Sequence, residues 1–215
     1  MPSYRVSAVP LCATVLIVAA ALTACATSRL SSELPPGVHL AGDWKIDTPR
    51  SDDLGKAVDE LRAQAEKARR ARESRQAQGA SVGTGVGTGL GPTRGSPVDE
   101  LMSNVPRGDY LRISVSASSF TVASGDSSDQ YTPGLQSEIS AEQGDAQQIS
   151  GWKGADYVID TRPQWGAEVI QRYGLTKDGK LAMTLRLTGR GTKLTFTRVY
   201  DRTTRMAPLA PPTIN

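Results

Sequence analysis

Few residues in this chain have the types and spacing that chemistry needs. There is one imidazole, His39, and there are two thiols, Cys12 and Cys25. A Ser–His–Asp relay would have to be built on His39. That residue sits where a polar, proline-bearing stretch ends, a place that suits a solvated or hydrogen-bonded side chain as well as a base or ligand. Asp156, Asp160, Glu168 and Asp178 fall in segments of two-residue period, where charged residues take the wet face or the turns. A paired-carboxylate hydrolase is the one enzymatic reading this leaves open, and no spacing singles out a pair. The sequence argues against an enzyme more than for one, and it implies no cofactor and no metal.

Two polar residues break an apolar face. Arg198 shares the face of Leu194, Phe196 and Tyr200, and Gln171 lies between Val169 and Tyr173. Either Arg198 pairs or snorkels outward, or Arg198, Gln171, Tyr173 and Tyr200 form a polar contact for an acidic ligand inside an apolar cavity.

Cys25 carries the most specific signal. An apolar run, Leu11 to Leu22, follows a stretch whose only charge is Arg5. It is shorter than the roughly 20 residues of a spanning helix and has the length of a secretory h-region. Leu22-Thr23-Ala24-Cys25 resembles the lipobox of bacterial lipoproteins. Small side chains before the cut let the backbone lie extended in a peptidase, and the thiol accepts a diacylglyceryl group. The resemblance implies a signal peptide over 1–24, acyl chains on Cys25, and membrane lipid as a partner. Each buried methylene is worth about 0.8 kcal/mol, so several chains hold firmly. Ala26, where an inner-membrane protein of this class would carry Asp, implies the periplasmic face of the outer membrane. With Cys12 removed and Cys25 acylated, no disulfide remains.

The balance of 25 Lys+Arg against 22 Asp+Glu gives a net charge of +3, too little to argue for nucleic acid. Two cysteines and one histidine exclude a zinc-finger array. Gly174 to Lys180 matches the start of a phosphate-binding loop, but Leu181 stands where Ser or Thr must hold magnesium, and the run spans a hairpin. Gly83 to Gly91 is a flexible low-complexity run. Arg107-Gly108-Asp109 is an accident of composition.

The elements follow from pattern. Residues 25–37 read as a lipidated tether with Pro35-Pro36. A first strand puts Trp44 and Ile46 on one face, within residues 38–50. An insertion over 51–107 follows. Ser51, Asp52 and Asp53 can cap a helix over 52–77, with a thin stripe of Leu54, Val58, Leu61, Ala65 and Ala68. Its second half is basic: Arg69, Arg70, Arg72 and Arg75 stand against Glu73, an arm suited to an anionic envelope surface. The Gly-rich loop comes next, then Ser96-Pro97-Val98-Asp99, a capping box opening a short helix over 97–103. From 108 to 205 the period is two. Leu111, Ile113 and Val115, then Phe120 and Val122, Ile159, Val169 and Tyr173, then Leu181, Met183, Leu185 and Leu187, and finally Leu194 and Phe196 predict the core. Asp178-Gly179 is a hairpin turn. Residues 206–215 form a Pro-rich tail. The fold expected is mainly β: an antiparallel meander curled into a barrel or open half-barrel, with a helical and Gly-rich insertion after the first strand.

Gly42-Asp43-Trp44-Lys45, the Gly-rich insertion, Trp152-Lys153-Gly154, Asp178-Gly179-Lys180-Leu181 and Arg198-Val199-Tyr200-Asp201-Arg202 follow the lipobox in this order. The chain thus resembles a group of uncharacterised proteobacterial lipoproteins with a lipocalin-like β-domain. The expectation is an envelope lipoprotein whose β-domain binds an apolar or amphipathic small ligand. The alternative is an interaction module that reaches an anionic partner with its basic arm.

Overall fold

A computed structural model describes residues 30–79, 96–141, 144–163, 168–189 and 191–204. The signal segment, Cys25, the Gly-rich run and the Pro-rich tail lie outside the described residues. Ten antiparallel strands form one sheet: β1 (Gly42–Ile46), β2 (Tyr110–Val115), β3 (Phe120–Ser124), β4 (Ser127–Tyr131), β5 (Gln136–Ala141), β6 (Gly144–Lys153), β7 (Asp156–Pro163), β8 (Glu168–Leu175), β9 (Leu181–Gly189) and β10 (Thr192–Thr203). Helices α1 (Leu54–Gly79) and α2 (Pro97–Asn104) separate β1 from β2. The spatial order is β4-β3-β2-β1-β10-β9-β8-β7-β6-β5, a meander in which β1 joins β2 to β10.

The sheet curls on itself into a half-barrel. Phe120 of β3 stacks on Tyr157 of β7 with ring centroids 3.8 Å apart, and meets Trp152 of β6 edge-on at 6.0 Å. Those strands are far apart in the sheet order, so only curling brings their rings together. Edge strands β4 and β5 are not paired with each other. Their connection is stitched to β6 instead, where Gly134 N–H donates to the Ser150 carbonyl at 2.7 Å.

The inward register is the one the alternation predicts. Leu181, Met183, Leu185 and Leu187 are fully buried, while Arg186 between them is exposed. All the other expected core residues are buried as well, except Ile46 and Val115, which are partly buried. Gly179 closes the β8–β9 turn at φ +78°, a conformation that costs glycine little. The sequence reading passed over Trp152 and Leu101, which the fold also buries in the core.

Strand β1 is short and pairs only with Tyr200–Thr203 of the twelve-residue β10. The rest of that edge would present bare backbone groups, and the start of the insertion covers it. Lys193 N–H donates to Gln64 Oε1 at 2.9 Å, and Gln64 Nε2 donates back to the Lys193 carbonyl at 3.1 Å. Thr197 N–H donates to Asp52 Oδ2, and Val199 N–H to Ser51 Oγ. Of the three residues expected to cap α1, only Asp53 does so, accepting from Lys56 N–H at 2.8 Å; Ser51 and Asp52 serve β10. Leu61 and Leu101 from the two helices enter the common core. Helix α2 opens on the expected capping box, with Asp99 N–H donating to Ser96 Oγ and Ser96 N–H to Asp99 Oδ2.

The segment expected to be a tether is paired at Ser31, which exchanges two backbone hydrogen bonds of 2.8 Å with Trp152 of β6. A Cβ at Gly151 would run into Ser31 and Leu30, so a larger residue at 151 would displace this contact.

Candidate functional site

The linker from α2 to β2, residues 105–109, crosses one end of the half-barrel. The two polar residues that break the apolar face hold it there. Gln171, on β8, projects inward opposite Ile159 and Leu185. Its Nε2 donates to the Asn104 carbonyl at 2.8 Å and to Asn104 Oδ1 at 3.0 Å. Arg198, on β10 opposite Met183, donates from NH1 to the Pro106 carbonyl at 2.6 Å, with Gly108 O at 3.4 Å. A buried carbonyl without a donor is costly, and a charged donor satisfies it well. These residues thus fasten the linker across the barrel end.

Beneath the linker lies a cavity of about 580 Å³. Val105 and Pro106 roof it, Val122, Ile139 and Ala146 wall it, and Tyr173 closes its floor. Its polar atoms come from Gln148, Thr161, Gln171 and Asp129, among others. Of the four residues expected to contact a ligand, Gln171 and Tyr173 line this cavity; Arg198 and Tyr200 do not. The Tyr200 hydroxyl and Arg198 Nε are both buried without a well-formed hydrogen-bond partner. Burial is the larger influence on Tyr200 and raises its pKa, while the neighbouring Arg198 pulls the other way.

Asp129 is the site residue that sequence reasoning missed. The turn at Gly125-Asp126 pairs Ser124 with Ser127 and therefore Val122 with Asp129. Directly opposed residues of an antiparallel pair share a face. Asp129 thus points to the same side as the buried Val122 and Phe120, although it keeps solvent access at the rim. It has no hydrogen bond or ion pair among the described residues. Burial raises its pKa, with no cation near enough to oppose the shift. The deeper tyrosines feel its charge. Tyr173 is raised well above the usual phenol value, by burial first and by Tyr131, Tyr200 and Asp129 after it. Tyr131 is raised by burial and then by Asp129. Further in, Tyr157 is pushed up to about 12 by burial, against a hydrogen bond with Ser150 Oγ at 2.9 Å.

The opposite end of the interior is plugged. The Trp44 indole donates to the Leu40 carbonyl at 3.1 Å, and Arg202 lies 4.4 Å over its ring. Arg202 also donates to the carbonyls of His39 and Ala41. The His39 ring is on an exposed residue.

On the outer face of β6–β10 a hollow of about 750 Å³ is crossed by the ion pairs Arg162–Asp160, Arg162–Glu168 and Arg172–Asp156. It lies on the solvated side of the sheet, whereas the smaller cavity opens into the apolar interior. In the basic arm, Arg69 pairs with Glu66 and Glu73, and Arg70 with Glu66. Two of the four arginines are thereby engaged within the helix, and Arg72 and Arg75 remain exposed. Among the described residues no cluster of His, Cys, Asp or Glu could hold a metal ion.

No known family profile matches this chain, and no curated protein matches it. Solved structures do. A protein described as the REP1-NXSQ fatty acid transporter is 18% identical, with TM-score 0.43, over 78% of this chain and 98% of that one. Apo lipid binding protein 8 of Caenorhabditis elegans is 12% identical, with TM-score 0.43, over 76% and 94%. Secretory abundant heat soluble protein 4 of Ramazzottius varieornatus is 15% identical, with TM-score 0.44, over 78% and 96%. Likeness of this degree does not bear on what the present chain binds.

Proposed function

We propose that this chain is a lipid-anchored protein of the bacterial cell envelope whose half-barrel holds a small amphipathic ligand beneath the α2–β2 linker. The observation that carries the reading is the cavity itself. Its volume of about 580 Å³ falls in the range of about 300–1,000 Å³ typical of small-molecule sites, which combine apolar walls with a few placed polar groups. Val122, Ile139 and Ala146 supply the first and Asp129 and Gln171 the second. The anchor is Cys25, acylated after removal of 1–24, with the domain held at the periplasmic face of the outer membrane. In this reading Arg198 holds the linker through the Pro106 carbonyl, and neither it nor Tyr200 touches the ligand.

The test is extraction of the purified membrane-derived protein and mass spectrometry of what it releases. A small molecule at near one equivalent, absent from an Ala146→Phe variant that fills the cavity, supports the reading. Equal yields from both proteins contradict it. The basic arm supports a second contact: Arg72 and Arg75, unpaired and exposed on α1, would add salt-sensitive attraction to an anionic envelope surface, which decays within a Debye length.

A further inference from the structure

Two charged residues line the cavity, Asp129 and Arg107, and among the described residues they are not paired with each other. Asp129 is an exposed residue at the cavity rim, on the Val122 face of β4, with no cation or donor engaged to it among the described residues. Gln171 is 6% exposed, and its amide is committed on one side only. Nε2 is spent on Asn104, while Oε1 is buried with no partner. Two independent acceptors thus bear on one cavity. Such acceptors are satisfied by a group that brings hydrogens, and a buried acceptor left without one is costly.

The nearby cations are not engaged with Asp129. Arg198 is spent on the Pro106 and Gly108 carbonyls and is not on the cavity wall. Arg107 lines the same cavity, but it is exposed and makes no hydrogen bond or ion pair with Asp129 among the described residues. The negative field of Asp129 instead reaches Tyr131 and Tyr173. A carboxylate head entering here would meet a like charge and a bare carbonyl oxygen, and like charges brought together in a partly desolvated site repel strongly.

We propose that this cavity selects an amphiphile whose head group is positively charged and donates hydrogen bonds, an alkylammonium, and rejects the corresponding carboxylate. The proposal rests on the cavity being the ligand site. Asp129 binds the charge at the rim, Gln171 Oε1 accepts a hydrogen bond, and the alkyl chain runs along Val122 and Ile139 toward Tyr173.

The experiment is calorimetric titration of the full chain in zwitterionic bilayer discs with octylammonium, 1-octanol and octanoate at pH 7, with empty discs as the blank. Octylammonium should bind at least tenfold more tightly than octanoate, with octanol between them. Asp129→Asn should remove at least fivefold of the octylammonium affinity and leave octanol within twofold. Asp129→Glu should keep the preference, which separates loss of charge from loss of fold. Arg107→Gln should change nothing for octylammonium. Octanoate binding as tightly as octylammonium overturns the proposal, as does an Asp129→Asn protein that keeps the full preference. Failure of all three probes to bind overturns the ligand reading itself, an outcome distinct from binding with the wrong selectivity.

Discussion

Phe120→Ala is the sharpest probe of the curled sheet. Phe120 lies near the sheet's edge, on β3, yet it is 0% exposed. In a flat sheet it would pack only on its β2 and β4 neighbours. Here its ring stacks on Tyr157 at 3.8 Å and meets Trp152 and Tyr173 at 6.0 and 5.6 Å. Truncating a fully buried Phe costs about 3–5 kcal/mol, from lost transfer energy and the hole left behind. Loss of each well-placed aromatic pair adds about 0.5–1.5 kcal/mol beyond burial. Three aromatic rings enclose Phe120, and rigid rings collapse poorly into a hole, so the cost belongs in the upper part of the range. By contrast Val115→Ala, on the β2 residue paired with Phe120 but only partly buried, should cost about 1 kcal/mol, near the middle of ordinary substitutions. Equilibrium urea unfolding followed by near-ultraviolet circular dichroism reads both, and the aromatic signal should weaken in Phe120→Ala even before unfolding. A Phe120→Ala cost below about 1 kcal/mol, with the aromatic signal unchanged, would refute the curling.

Two other outcomes follow from the contacts and a third from the proposed anchor. Arg198→Met removes the donor from the Pro106 and Gly108 carbonyls; amide hydrogen exchange across 105–109 should accelerate at least tenfold, with the β9 amides unaffected, and equal protection would show that the linker holds itself. Glu66 is pulled down to about 2 by hydrogen bonds from Arg69 and then Arg70, and Asp178 to about 2 by one from Arg50. Their folded values are depressed, so the stability they contribute is present above their ordinary values of 4.5 and 3.8 and is lost as pH falls toward 2. The melting temperature should therefore decline over that window, and Glu66→Gln should flatten the decline. Cys25→Ser should abolish palmitate labelling and release the protein from the membrane fraction; labelling equal to wild type would remove the anchor from the account.

The register of the last three strands was legible because Leu181, Met183, Leu185 and Leu187 alternate strictly after the turn at Asp178-Gly179. A slip of one would have exposed all four. The inward direction of Gln171 and Arg198 was legible on the same ground. Their role was not, since the carbonyls they bind come from residues 67 and 92 positions away. Asp129 was missed because Ser127–Tyr131 has no apolar alternation to mark a face. A signal existed: the tight turn after Ser124 carries the face of Phe120 and Val122 over to Asp129 and Tyr131. The basic arm looked more strongly charged than it is, because Glu66 lies one helical turn before Arg69 and Arg70 and pairs with both, its one negative charge offsetting one of the two. The insertion read as a capped helix and a loop, and nothing in its pattern showed that its first residues complete the β10 edge that the short β1 leaves bare.

The space beneath the α2–β2 linker is proposed to accept a ligand. This is tested most directly by titrating the full chain with a neutral solvatochromic naphthalene dye, in parallel with Ala146→Phe. A saturable blue-shifted site at one dye per chain is expected in the wild type, with its loss in Ala146→Phe and the circular dichroism of the strands unchanged. Saturable one-to-one binding that survives Ala146→Phe undiminished would place the site elsewhere and contradict the account.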